Sequence, residues 1–421
     1  MKTLKHNKPI TKLKITKILL NFIIGFVFVF AVLLVRPLKK IYFAPLHTSR
    51  IGHFVLDTEI LLARIHHDQK HFRKNFKIIW IPELEVSNNY VFSIWCQKIH
   101  VSNSNLLTAS IMQTAIILEK ITGIKLTYRF IGWDGYLQYA YLLEDAPTVF
   151  SMPTSDEIEC INILESNGID TTKPWVCVLM RDDEYLKKRY PDLEWDFNSY
   201  RNSDINTFNL AAEFLSKNHV NVFRMGSIVD KPFLSANDRT IIDYANKVWR
   251  NEKLDIYLAS RCLFFVSSGT GLDAVAVASR RPLLWVNQAQ PLHVYRSKKN
   301  FKFITKYFYL KNKKTYLNPK AYYDLGVKDG FTVDNPLHLR TQDLERLGIH
   351  VQDNTSSEIS EITIEMYDSL TNQRENYSVL NELQQSFWKS FPKDKRLDIS
   401  GNTYGEIGKN FLENNRWLLD D

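Results

Sequence analysis

From Ile41 onward, short apolar runs alternate with stretches in which apolar residues recur at helical spacing. The runs Ile41–Leu46, Lys77–Ile81, Lys98–Val101 and Lys125–Phe130 predict strands, and Phe54–Ile65 and Leu106–Ile121 predict helices between them. Strand alternating with helix is the pattern of a doubly wound α/β sheet. A second series follows a helix expected over Ser155–Asn167, which Gly168 terminates, and a connector Ile169–Pro174 whose proline resists helix continuation. Trp175–Met180, Val220–Arg224, Cys262–Val266 and Pro282–Val286 then predict strands. Asp204–Lys217 carries Ile205, Phe208, Ala212 and Leu215 on one face of an expected helix, and Thr270–Ser279 predicts another. Beyond Asn300 the pattern is polar, aromatic and irregular until helical spacing resumes at Ser357–Leu370, Glu375–Phe391 and Tyr404–Asn415.

This organisation predicts four segments: a basic tail and anchor helix (1–40), two Rossmann-like domains (41–170 and 171–345) and a C-terminal helical extension (346–421). With 45% apolar and 13% aromatic residues, the chain can bury large cores.

Charge changes the picture at the N-terminus. Of the formal +8, nine basic residues and no acid fall within residues 1–40, leaving the remainder close to neutral. Beside them, Ile18–Val35 is 18 residues without a charge, a length of about 27 Å as a helix and just enough to span a bilayer core. Arg36-Pro37 stands where a signal peptide would have its small-residue cleavage site, so a retained transmembrane helix is expected. Basic charge beside an apolar segment points to membrane lipid as its partner, not nucleic acid. A membrane-associated protein with its body on the cytoplasmic face is therefore the expectation, although the flanking lysines favour a cytoplasmic N-terminus and the opposite orientation. Four cysteines without metal-ligand spacing read as reduced thiols.

Four segments could carry chemistry. His47-Thr-Ser-Arg-Ile-Gly-His53 follows a buried strand, where ligands of doubly wound sheets gather. There Gly52 would permit close backbone approach and Arg50 could hold an anionic or hydroxylated group, or pair with a surface carboxylate instead. Asp57 and Glu59 are candidate bases, but at an early helix turn they also complement the helix dipole. Ser267, Ser268, Gly269, Thr270 and Gly271 lie between a strand and a helix, freeing backbone N–H groups for a phosphate. Thr270-x-x-Asp273 also reads as a helix-capping box. Arg181 and Arg201, in the loop after Trp175–Met180, could neutralise a diphosphate or pair with nearby acids. Arg224 with Gly226 stands at another strand's carboxyl end. Metal-binding and GxSxG motifs are missing, so no cofactor or obligatory metal is expected.

Together, Ser49-Arg-Ile-Gly-His53, Phe223-Arg-Met-Gly226, Asp255-Ile-Tyr-Leu-Ala-Ser260 and Phe264-Phe-Val-Ser-Ser-Gly-Thr-Gly271 resemble a bacterial family of glycosyltransferases of GT-B type, as does Arg281-Pro-Leu-Leu-Trp-Val-Asn287. The resemblance covers roughly Ile41 to Asn300. It implies an acceptor domain and a nucleotide-sugar domain facing a cleft, with Arg224, Ser268, Gly269, Thr270 and Gly271 around the donor diphosphate. Arg50 and His53 would face them, and His53, Asp57 or Glu59 would take the acceptor proton. The expected function is transfer of a sugar from a nucleotide-sugar to a surface polysaccharide or a glycolipid, with a lipid-linked saccharide as one acceptor class. A non-catalytic membrane-tethered scaffold, or a transferase of another group on the same fold, are the alternatives.

Overall fold

The computed structural model describes residues 12–69, 76–103, 106–130, 139–192, 194–234, 238–289, 301–328, 340–371, 382–390 and 405–419. The chain divides into two units, Met1–Trp133 and Asp134–Asp421.

The first unit runs α1 (Lys12–Val35), β1 (Lys40–Leu46), α2 (Thr58–Gln69), β2 (Phe76–Pro82), α3 (Asn89–Lys98) and α4 (Leu106–Thr122). β1 and β2 pair in parallel from Lys40↔Phe76 to Leu46↔Pro82. The two outer strands expected from the sequence contribute one parallel bridge each, Phe43↔Thr127 and Trp80↔Val101. Helix α3 extends to Lys98 and so uses up the start of one of them.

The expected membrane anchor is corrected by the structure. Among the described residues no helix is long and apolar enough to cross a membrane. α1 is instead a packing element: Val29 and Val32 are buried with Phe43, Ile111, Met112 and Ala115 in one core. A Cβ on Gly25 would lie 3.2 Å from the Ser110 backbone of α4, so the glycine lets the two helices approach closely. Its other side leaves Ile23, Val27 and Leu34 exposed. The transmembrane helix and the membrane-associated location rested on a span and fall with it, and the membrane-lipid partner is left without support. Lys2, Lys5 and Lys8 of the basic tail lie outside the described residues.

The second unit opens with α5 (Thr154–Ser166), β3 (Trp175–Leu179), α6 (Glu184–Arg189), α7 (Asn209–Lys217), β4 (Asn221–Arg224) and β5 (Ile241–Ile242). It continues with α8 (Glu252–Arg261), β6 (Phe264–Ser267), α9 (Asp273–Ala278), β7 (Leu283–Gln288), β8 (Phe301–Thr305), β9 (Tyr307–Leu310), β10 (Thr315–Tyr316) and α10 (Pro319–Lys328). α11 (Thr341–Arg346), β11 (Ile349–Gln352), α12 (Ser356–Thr371), α13 (Glu382–Ser390), β12 (Glu406–Ile407) and α14 (Lys409–Asn414) complete it.

Among the described residues seven strands form one sheet in the order β12-β8-β7-β6-β3-β4-β5, with every neighbouring pair parallel. β4, β6 and β7 are buried along their whole length, which is why each reads as a continuous apolar run. The chain builds outward from β3 through β4 to β5, then returns to the other side of β3 with β6 and builds outward again. The strand order therefore reverses between β3 and β6, and ligands of open α/β sheets bind outside the carboxyl ends of the strands at such a reversal. A small antiparallel sheet, β10-β9-β11, is formed by the chain between β8 and β12. The helix expected over Tyr404–Asn415 begins instead with edge strand β12: Tyr404 lies outside the described residues, and Ile407 is fully buried beside β8.

Candidate functional site

In the second unit the loops after β3 and β6 are bonded to each other at the reversal point. The Ser268 hydroxyl accepts the Arg181 backbone N–H at 2.8 Å, and the Ser268 N–H donates to the Leu179 carbonyl at 3.3 Å. Within the β6 loop the Ser267 hydroxyl accepts the N–H groups of Gly269 and Thr270, each at 3.1 Å, and meets the Thr270 hydroxyl at 3.0 Å. Gly269 has φ +79°, a left-handed conformation that favours glycine. Gly271 is the exposed residue of the loop.

The capping relation is also present. Asp273 Oδ2 accepts the Thr270 N–H at 3.2 Å and the Trp285 indole N–H at 3.0 Å. Burial pushes the Asp273 carboxyl up to about 6, against the hydrogen bonds from Ser267, Trp285 and backbone N–H groups.

Both arginines after β3 reach this loop. Arg201 Nη2 donates to the Gly269 carbonyl at 3.2 Å. Arg181 is largely buried and donates to Asn198 O (3.1 Å) and Asn202 Oδ1 (2.6 Å), with Asp183 Oδ1 3.1 Å from its Nη2. Burial, with the nearby Arg201 charge, lowers the Arg181 guanidinium to about 10. Arg224, at the end of β4, is buried and committed to Asp243 Oδ1 (3.1 Å) and the Lys231 carbonyl (3.0 Å). Next to it Gly226 has φ +139°, and a Cβ there would meet Val229 Cγ1 at 2.7 Å. A cavity of about 330 Å³ opens beside the β3 and β4 ends, with Arg224 in its wall.

The first unit holds a separate polar cluster at the ends of β1 and β2. His47 Nδ1 lies 3.2 Å from Glu83 Oε1, and the Ser49 N–H donates to Glu83 Oε2 at 2.8 Å. Burial acts to raise the Glu83 carboxyl but is outweighed by the hydrogen bonds from His47 and Ser49, which hold it at about 2. The hydrogen bond to Glu83 in turn raises His47 despite desolvation. The His47 and His53 rings meet edge to face with centroids 6.3 Å apart.

His53 opens a single turn of π-helix, His53–Asp57, that leads directly into α2. Its Nδ1 lies 3.0 Å from Asp57 Oδ2. The turn is supported at the Phe54 carbonyl, which accepts from the Thr58 hydroxyl (2.8 Å) and the Trp95 indole N–H (3.1 Å). Such turns occur mostly within α-helices and frequently at functional sites. Gly52 is helical at φ −62°, and Arg50 is exposed. Glu59 is fully buried one turn further along.

No protein-family model matches the chain, and no curated protein matches it. Solved structures do. The family 9 glycosyltransferase from Veillonella parvula is similar at 9% identity and a TM-score of 0.41, over 79% of this chain and 97% of that one. The bacterial iron-containing dodecameric glycosyltransferase TibC from enterotoxigenic E. coli is similar at 10% identity and 0.40, over 79% and 77%. ADP-heptose LPS heptosyltransferase II of E. coli is similar at 13% identity and 0.31, over 59% and 84%.

The structure thus brings Arg181, Arg201 and Ser267–Gly271 together, with Arg224 and Gly226 at the neighbouring strand end, and gathers Arg50, Gly52, His53 and Asp57 in the other unit. Sequence reading did not find Glu83, which stands 36 residues from His47 in the chain. It also did not find Lys306, a buried cation that donates to the Asn202 carbonyl and to Asp353 Oδ1, both at 2.6 Å. Among the described residues no group of three or more His, Cys, Asp or Glu side chains is arranged to hold a metal.

Proposed function

We propose that the chain is a glycosyltransferase that moves a sugar from a nucleotide-sugar donor to a hydroxyl of a polysaccharide or glycolipid acceptor. The observation that carries this reading is the meeting of the Arg181, Arg201 and Ser267–Gly271 loops at the reversal of strand order between β3 and β6. The Gly269 and Thr270 N–H groups are turned inward to Ser267, so the donor diphosphate is met from Gly271 onward and by Arg201. Arg181 and Ser268 hold that loop in place.

In the first unit, the acceptor unit of this reading, His53 is the general base. Asp57 at its Nδ1 fixes the ring so that Nε2 takes the proton, the arrangement by which carboxylates orient catalytic imidazoles. The acceptor oxygen bonds to the anomeric carbon, the bond from that carbon to the diphosphate oxygen breaks, and the nucleoside diphosphate leaves as the anion that Arg201 and the loop stabilise. Glu59, being buried, supports the helix and does not act on substrate.

The test is release of nucleoside diphosphate from a panel of nucleotide-sugars in the presence of saccharide acceptors. The His53→Ala variant is expected to lose roughly 10²–10⁴-fold in kcat with donor binding retained, whereas Arg201→Ala raises the donor KM. Unchanged turnover in His53→Ala would remove the base assignment, and a panel with no turnover at all would remove the function.

A further inference from the structure

The cavity beside the reversal point differs in charge from the loop next to it. Its wall includes Asp182, Asp183, Asp204, Asp230, Arg224 and Lys231, with Met180 and Ile205 as apolar surface. Each cation in or behind the wall already faces a carboxylate. Lys231 Nζ is 2.8 Å from Asp204, Lys187 Nζ 3.8 Å from Glu184, Arg224 3.1 Å from Asp243, Arg181 3.1 Å from Asp183 and Lys306 2.6 Å from Asp353. Asp182 and Asp230 have no ion-pair contact within 4 Å among the described residues: Asp182 accepts the backbone N–H groups of Glu184 (3.1 Å) and Asp230 (3.2 Å) and shares the field of Arg224 with Asp243. The wall therefore carries an excess of negative charge.

Asp183 is 3% exposed and its carboxylate is committed, Oδ1 lying 3.1 Å from Arg181 Nη2 and Oδ2 accepting the Asn202 amide N–H at 2.6 Å. One further polar group of the wall, the Ser203 hydroxyl, has no hydrogen-bond partner among the described residues. A cavity of about 330 Å³ is within the usual ~300–1,000 Å³ of small-molecule sites. Carboxylates, a hydroxyl and a small apolar surface suit a polyhydroxylated ring, whose O–H groups donate to the acids and whose C–H face covers Met180 and Ile205. They do not suit a second anion, for which no cation of the wall stands unpaired.

We infer that this cavity is the donor-sugar subsite, and that it takes a sugar without an acid group and discriminates against uronic and other carboxylated sugars. The inference rests on the proposed donor site, since it places the sugar next to the diphosphate loop.

The experiment is calorimetric titration of the full chain with nucleotide-sugars that share a nucleotide: UDP-glucose against UDP-glucuronate and GDP-mannose against GDP-mannuronate, with bare UDP and GDP as references. For the nucleotide that binds, the neutral sugar is expected to bind at least tenfold more tightly than its uronate. In Asp230→Asn, an exposed substitution that leaves the diphosphate loop untouched, that gap should shrink at least threefold while the bare diphosphate binds as before. A uronate that binds as tightly as its neutral partner overturns the subsite and leaves the donor site standing. A gap unchanged in Asp230→Asn also overturns it. Absence of binding by UDP and GDP, and by ADP and CDP tested alongside them, overturns the donor site and the subsite with it.

Discussion

The Ser268 hydroxyl accepts the backbone N–H of Arg181 at 2.8 Å, joining two loops that are 87 residues apart in the chain. That bond lies where the order of the parallel sheet reverses, and with the Ser268 N–H to Leu179 and Arg201 to Gly269 bonds it sets the spacing of the two loops there.

Ser268→Ala leaves the Arg181 N–H without its acceptor in a buried position, which costs about 1–3 kcal/mol. The urea midpoint of the variant should fall accordingly, and an unchanged midpoint would mean that the loops are held by other contacts.

The two left-handed glycines at the strand ends should differ in their tolerance of alanine. At Gly269 a Cβ would meet nothing nearer than the Gln288 side chain at 3.7 Å, so Gly269→Ala carries backbone strain alone, about 1 kcal/mol or somewhat more. At Gly226 the Cβ would lie 2.7 Å from Val229, so Gly226→Ala adds a clash to the strain and should be the more destabilising of the two. Thermal melts of the two variants check the order.

Asp273 gives a pH signature with a definite sign. Its folded value, pushed up to about 6 by burial, lies above the unfolded value of about 3.9. Between these values the folded chain binds a proton that the unfolded chain does not, so this group's contribution to stability falls as pH rises from about 4 to about 6. The stability of the native chain relative to Asp273→Asn should therefore decrease across that window and level off above it. A relative stability that rises there contradicts the assigned environment.

His47 and Glu83 predict the complementary profile in the first unit. Glu83, held at about 2, contributes stability above its unfolded value of about 4.3, and this is lost as pH falls toward 2. His47, raised by the same hydrogen bond, contributes stability below about 6.5, and this is lost as pH climbs through its elevated folded value. Glu83→Gln should thus be most harmful between about pH 5 and 6.5, with smaller effects on both sides. Both side chains are more than a third exposed, so the effect should also diminish in high salt.

The pattern along the chain revealed β3, β4, β6 and β7 because strands buried on both faces are written as unbroken apolar runs, and β1 and β2, only partly buried, by their short apolar cores. It concealed β8, where Lys302 interrupts the run. That lysine is tolerated inside the sheet because Glu365 (3.1 Å) and Glu406 (2.5 Å) reach it from α12 and β12, partners 63 and 104 residues away. The same distance in sequence hid Glu83 from His47 and Asp353 from Lys306. Local signals did place Ser267–Gly271 in a strand-to-helix loop, since small residues there follow directly from the geometry of the turn. The apolarity of Ile18–Val35 predicts a span, but of it only Val29 and Val32 are buried in the core with Phe43 and Ile111, while Ile23, Val27 and Leu34 stay exposed.

Whether the loop after β6 holds the diphosphate of a nucleotide donor is decided by equilibrium binding of UDP, GDP, ADP and CDP to the native full chain and to Gly271→Glu. Gly271 is exposed, so the substitution places a carboxylate at the rim of the loop without disturbing the core. One nucleoside diphosphate should bind the native chain in the ~1 μM–1 mM range usual for substrates and the variant at least tenfold more weakly. Equal binding to both proteins, or no binding to either, would contradict it.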